Sequence, residues 1–222
     1  MDKQECKPYC TEEELLDETP KYMVSEPPTE YGLTNPMRYT YADYLSWMDD
    51  TRRELIDGVV YLFGAPLRRH AEASAVLFYR FYNFIFRRKG KCKVYHAPFD
   101  VRFPNNGETA DNKIYTVVQP DICVFCDKTK LDDKGAIGVP DLIVEIQSPS
   151  TAKKDLSYKF DLYEKHGVKE YWVVFPNDKA ITVFLLQPNG EYNKGTTYDF
   201  GAKVPVSIFK GFEIGLNELF ED

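Results

Sequence analysis

The chain has 222 residues, 43% of them apolar, and its Asp and Glu outnumber Lys and Arg for a net charge of −7. That length and apolar content suffice for one sizeable hydrophobic core, and the acidic balance argues against a broad surface that coats DNA non-specifically. Residues 1–38 hold four Lys/Arg against nine Asp/Glu, so most of the excess sits there and a basic groove on the remainder is not excluded.

Taken in order, residues 1–38 read as an acidic, loosely packed N-terminal extension, with TEEELLDE and SEPPTE carrying few apolar anchors and a short helix possible over Glu12–Glu18. A single domain is expected over residues 39–222. Thr40 can cap a helix over Tyr41–Met48. The run RRELIDGVVYLF, Arg52 to Phe63, reads as strand, Asp57-Gly58 turn and strand, with Glu54 beside apolar residues. Gly64 to Pro66 breaks the pattern, and a long helix follows over Arg68–Arg88 with His70 in its first turn, where a lone histidine is ordinarily a surface residue.

From Lys91 the pattern turns to strands, CKVYHAPFDVRF and then KIYTVVQPDICVF, separated by the polar loop NNGETADN. Val117–Phe125 reads as one strand in which Asp121, Cys123 and Phe125 share a face. Cys123-Val-Phe-Cys126 resembles half a zinc site, but no second pair with ligand spacing accompanies it. The five cysteines are sparse and odd in number, so packed thiols without a disulfide framework are expected. Asp127 to Gly138 reads as a charged loop.

Val139 to Tyr171 is the most informative stretch. Alternation over Leu142–Gln147 puts Ile143, Glu145 and Gln147 on one face and Leu142, Val144 and Ile146 on the other, so a carboxylate is held in an apolar strand. Burying such a charge is costly unless a partner or a metal meets it. Ser148, Ser150 and Thr151 offer N-cap oxygens for the next helix, Gly167 ends it, and Asp155, Lys159, Tyr163 and His166 share one face. Strands over Glu170–Phe175 and Ala180–Leu186, a hairpin through Asn189-Gly190, a short strand near Val204 and a helical turn at Leu216–Phe220 complete the chain. No apolar run approaches the roughly 20 residues that span a bilayer, so no membrane association and a cytoplasmic setting are expected.

Two acids on consecutive core strands, Asp121 and Glu145, with a lysine on the following helix suit a hard cation such as Mg²⁺, which keeps several waters and needs few protein carboxylates. The order of these elements resembles the Uma family of restriction endonucleases, members of the PD-(D/E)xK nuclease superfamily. The likeness runs from about Tyr39 to the C-terminus and is carried by ELIDG (Glu54 to Gly58), His70, PDICVF (Pro120 to Phe125), PDLIVEIQSPST (Pro140 to Thr151), the Asp155/Lys159/Tyr163 helix face and GVKEYWVV (Gly167 to Val174).

The resemblance implies an α/β, restriction-endonuclease-like fold with a central mixed β-sheet flanked by helices, a homodimer, and Mg²⁺-dependent (or Mn²⁺-dependent) hydrolysis of DNA phosphodiesters. Asp121, Glu145 and the backbone carbonyl of Ile146 would hold the metal, and Glu54 would complete or support it. The motif's lysine position is Gln147 here, and Lys159 is placed to substitute. His70 and Tyr163 would position substrate or water, while Arg68, Arg69, Lys153 and Lys154 would approach DNA. Two other functions fit the same residues: a nucleic-acid binder of this fold that no longer cleaves, and an interaction protein in which Glu145 and Lys159 form only a buried ion pair.

Overall fold

A computed structural model describes residues 38–49, 51–148 and 154–221, with the side chains of 154–156 excluded. The expected N-terminal extension, the cap residues Ser150 and Thr151, Lys153, and the side chains of Lys154 and Asp155 therefore lie outside the described residues. The described elements are α1 (Tyr41–Ser46), β1 (Arg53–Ile56), β2 (Val59–Leu62), α2 (Arg68–Arg87), β3 (Lys93–His96), β4 (Val101–Arg102), β5 (Val117–Val118), β6 (Ile122–Phe125), β7 (Leu131–Asp132), β8 (Gly135–Ile137), β9 (Leu142–Ile146), α3 (Lys154–His166), β10 (Glu170–Phe175), β11 (Ala180–Leu185), β12 (Thr196–Tyr198), β13 (Lys203–Pro205), β14 (Glu213–Gly215) and α4 (Leu216–Leu219).

The central sheet runs β12-β11-β10-β9-β6-β3. It is mixed, because β9 and β10 are parallel across the α3 crossover while β6 and β11 flank them antiparallel. Alternation divides its side chains between two cores. Ile122, Val124, Leu142, Val144 and Ile146 pack beneath α2, which presents Ala73, Leu77, Phe81 and Ile85 at four-residue spacing. Cys123, Phe125, Ile143, Tyr171 and Val173 face α3, which contributes Leu162 and Tyr163. This is the central sheet between helices that the family resemblance implied, and each apolar side chain so buried contributes roughly 1.5–3 kcal/mol.

A second six-stranded sheet, β2-β1-β5-β4-β8-β7, stands beside the site. Its β1–β2 hairpin turns through Asp57 at φ 50° and Gly58 at φ 83°, the pair of positive values that suits the twist of a two-residue hairpin. A Cβ at Gly58 would also come within 2.8 Å of the Arg38 side chain. α1 begins with a capping box in which Thr40 and Asp43 satisfy one another's backbone N–H groups.

Three expectations are corrected. Val117–Phe125 is not one strand: Pro120 offers no N–H to continue a ladder, and the chain leaves the second sheet as β5 and enters the central sheet as β6. Asp127 to Gly138 is not simply a loop, since β7 and β8 form a hairpin whose β8 pairs in parallel with β4. Cys126 is not a free thiol, because the β3–β6 register sets Lys93 opposite Phe125 and brings Cys92 to Cys126, with which it forms a disulfide. Cys123 stays free and buried. No helix among the described residues is long and apolar enough to cross a membrane.

Candidate active site

The site forms where the chain passes between the two sheets. Glu54 projects from β1, and its Oε1 accepts the Gln119 backbone N–H at 2.7 Å, at the point where the chain crosses over. Two residues later Asp121 stands at the entrance of β6, and its Oδ2 accepts the Ile146 backbone N–H at 2.7 Å. That bond ties the acid to the end of the neighbouring β9, which carries Glu145. From the first turn of α2, His70 Nε2 lies 3.2 Å from the same Asp121 oxygen.

Lys159 and Tyr163 are one helical turn apart on α3 and meet the same carboxylate. Lys159 Nζ donates to Glu145 Oε1 at 2.9 Å and to Glu54 Oε1 at 3.1 Å, while Tyr163 donates its hydroxyl to Glu145 Oε1 at 2.6 Å. The ammonium also lies 5.4 Å from the Phe63 ring centroid. Glu54, His70, Asp121, Glu145 and Lys159 line a cavity of about 140 Å³ together with Gly64, Ala65 and Pro66.

Three carboxylates, of Glu54, Asp121 and Glu145, share this cavity with three basic side chains, Arg52, His70 and Lys159. Burial pushes the Glu145 carboxyl up, Lys159 draws it down, and Asp121 and Glu54 push it up again, for a value of about 7. Lys159 is pulled down by burial but held more strongly by Glu145 and Glu54, so its value rises above the ordinary lysine range and it stays charged. Burial opposes the charging of His70, yet its hydrogen bond to Asp121 and that residue's charge raise it overall.

Buried polar atoms in folded proteins are nearly always hydrogen-bonded. Among the described residues five buried side-chain atoms have no partner, and four of them, Glu54 Oε2, His70 Nδ1, Gln147 Oε1 and the Tyr171 hydroxyl, belong to residues lining this one cavity. Such a concentration marks a place completed by something other than protein.

A divalent cation fits that description. Asp121 and Glu145 supply hard oxygen donors, and Glu54 Oε2 is an unspent buried oxygen. Among the described residues no three His, Cys, Asp or Glu side chains converge closely enough to cage an ion by themselves. The donor set therefore suits Mg²⁺ or Mn²⁺ retaining several waters, and not a protein-only cage.

The structure gathers Asp121, Glu145, Lys159, Glu54, His70 and Tyr163 in this one place, and Ile146 lines the cavity beside them. Gln147 is there too, so the ammonium reaches the acids from α3 and not from β9. His166, on the same helix, packs on the Phe103 ring at 4.7 Å instead. Arg68 pairs with Glu72 on an exposed helix face, and Arg69 donates to Asn177 at 3.3 Å. Arg52, Gln119 and Tyr171 also line the cavity and were not singled out from sequence. For Arg52 a signal existed: strand alternation places it on the face of Glu54.

Residues 41–217 match the model of the Uma2 family, described as "Putative restriction endonuclease". The chain is 28% identical over 153 residues to the uncharacterized protein slr1290 of Synechocystis sp. (strain ATCC 27184 / PCC 6803 / Kazusa), covering 68% of this chain and 75% of that one. Its fold is similar to a crystal structure of a "putative nuclease belonging to DUF820" from Anabaena variabilis ATCC 29413. The TM-score there is 0.64 at 20% identity, over 82% of this chain and 97% of the other. At that identity the likeness establishes the fold.

Proposed function

Because this chain belongs to the Uma2 family and has its nuclease-like fold, we propose that it is a Mg²⁺-dependent endonuclease that hydrolyses DNA phosphodiester bonds, acting as a homodimer in the cytoplasm. The observation that carries the reading is Lys159, whose ammonium lies 2.9 Å from Glu145 and 3.1 Å from Glu54, on a cavity that also holds Asp121 and unspent polar atoms. A purely structural ion pair would have no use for the orphaned Glu54 Oε2.

Asp121, Glu145 and the Ile146 carbonyl would hold the metal, with Glu54 supporting it. When bound, such an ion stabilises charge on a phosphodiester and lowers the pKa of an attacking water. Lys159 adds a second, permanently positive group that orients that water and meets the charge developing on phosphate oxygens. Tyr163 and Lys159 together occupy one oxygen of Glu145, which fixes the plane of the carboxylate. His70 does the same for Asp121 through Oδ2, assisted by the Ile146 N–H. These contacts pre-orient the acids, so little reorganisation is needed when the phosphodiester arrives. Arg68, held to Glu72 only by a solvent-exposed pair that is worth little, is available to exchange that partner for a DNA phosphate.

The test is calorimetry of Mg²⁺ and Mn²⁺ with wild type, Asp121→Ala and Glu145→Ala, in the absence and presence of DNA, followed by plasmid cleavage with Lys159→Ala. Binding by wild type that disappears in both acid variants, together with cleavage that Lys159→Ala abolishes, is expected. Metal binding with no cleavage of any DNA would favour the binder that no longer cuts. Wild type that takes up neither metal nor DNA would leave the buried ion pair as the account.

A further inference from the structure

We propose that Arg52 is the residue that grips a substrate phosphate in this cavity, and that Gln119 and Asp100 hold its guanidinium in place for that task. The inference rests on the nuclease reading and names a substrate-binding group that reading does not use.

Arg52 immediately precedes β1, and its carbonyl accepts the Phe63 backbone N–H at 3.1 Å, so its backbone is pinned to the far end of β2. Its half-buried side chain lines the same cavity as Glu54, His70 and Asp121. Of the guanidinium's five donors, Nε is committed, to Gln119 Oε1 at 3.3 Å.

Gln119 is itself oriented by Asp100. Its Nε2 donates to Asp100 Oδ1 at 2.9 Å and to the Tyr44 hydroxyl at 3.1 Å. A carboxylate such as Asp100 accepts only, so the amide nitrogen must face it and the amide oxygen must face Arg52. Tyr41 and Tyr44 donate to Asp100 as well, at 3.1 and 3.3 Å, which anchors the relay in the α1 core. Nε is thereby tethered, in a side chain that lines the cavity.

Arg52 forms no ion pair among the described residues, although three carboxylates line the cavity with it. The other two cationic side chains there are engaged, Lys159 between Glu145 and Glu54 and His70 on Asp121. A phosphodiester entering a space rich in carboxylates needs a cation not already committed to them. The planar fork of an arginine suits two phosphate oxygens, which a lysine ammonium meets only as a point charge.

The experiment measures binding of fluorescein-labelled single-stranded and duplex oligonucleotides by anisotropy, with Ca²⁺ in place of Mg²⁺, for the full chain and for Arg52→Met, Arg52→Lys and Gln119→Met. Melting temperature and Mn²⁺ binding by calorimetry are recorded for each. Arg52→Met is expected to weaken binding about tenfold and to lower the salt slope by about one phosphate contact, with melting and Mn²⁺ affinity unchanged. Arg52→Lys recovers part of the loss, and Gln119→Met shows a smaller loss of the same kind. Wild-type oligonucleotide affinity in Arg52→Met overturns the assignment and leaves the nuclease reading standing. Lost melting stability or raised Mn²⁺ affinity without lost oligonucleotide affinity also overturns it, because Arg52 would then only balance the acids. Wild type that binds neither oligonucleotide removes both readings together.

Discussion

Two glutamates lie buried on adjacent parallel strands, and burial raises the pKa of both, yet their surroundings differ. Glu170 on β10 uses both oxygens within the fold: Oε1 accepts from Trp172 Nε1 at 2.8 Å and Ser207 N at 3.1 Å, and Oε2 accepts from Ile208 N at 3.0 Å. Its donors are all N–H groups of the surrounding fold. Glu145 on β9 receives both of its protein contacts on one oxygen, beside two further acids and the cavity. Burial of a carboxylate therefore does not by itself mark a site. What distinguishes the two is whether the fold uses up the group's capacity to accept.

The largest expected effect separates the two directly. Glu145→Gln should lower DNA cleavage by about a thousandfold or more, the several kcal/mol of charge stabilisation that a metal and its ligands supply. Its melting stability should stay within about 1 kcal/mol of wild type, because Glu54 still pairs with Lys159 and no cation is left buried alone. Glu170→Ala should do the reverse. It strands the buried Trp172 Nε1–H and two part-buried backbone N–H groups, of Ser207 and Ile208, and should cost about 2–4 kcal/mol of stability, while the folded fraction cleaves at the wild-type rate. Cleavage lost equally in both variants would remove the distinction between the two glutamates.

The sequence could not draw that distinction. Alternation over Leu142–Gln147 put Glu145 in an apolar strand, and the same alternation places Glu170 in one, because period two reports the face and says nothing of the partner. The Asp57-Gly58 hairpin and the shared face of Lys159 and Tyr163 were legible, since each rests on residues close in the chain, while the central sheet between helices came with the family resemblance. Asp121 was joined to Glu145 by their places on consecutive strands, whereas Glu54 and His70 were joined to them only through the family resemblance. Their geometry depends on the crossing between sheets at Gln119-Pro120, and a run of strand-forming residues does not say which sheet it joins. The Cys92–Cys126 disulfide and the β7–β8 hairpin stayed hidden for a related reason, that strand register is a long-range property.

A smaller effect sharpens the comparison through pH. The Glu170 pKa is raised in the folded state, chiefly by burial and against the pull of its three donors. A raised folded value means the native state binds the proton more tightly, so the group's stabilisation is complete below its unfolded value near 4.5 and is lost as pH climbs through the folded value. Glu170→Gln cannot titrate and should lack that decline. Melting temperatures of wild type and variant recorded upward from pH 4 should thus diverge, with wild type falling relative to Glu170→Gln. Parallel curves would mean that Glu170 titrates alike in both states.

The smallest effect concerns two tyrosines whose rings lie 5.1 Å apart in the same core. Both are fully buried, and both keep their aromatic packing when only the hydroxyl is removed. Tyr163 donates to Glu145 at 2.6 Å, so Tyr163→Phe deletes a hydrogen bond to an ionisable partner and should cost about 1.5–3 kcal/mol. The Tyr171 hydroxyl has no partner in the fold and lines the cavity, so Tyr171→Phe removes a buried polar atom that stabilises nothing. It should melt at or slightly above the wild-type temperature. Equal losses in the two variants would mean that the Tyr171 hydroxyl is held by the folded protein after all, and the cavity would lose one of the four atoms that distinguish it from the fully satisfied surroundings of Glu170.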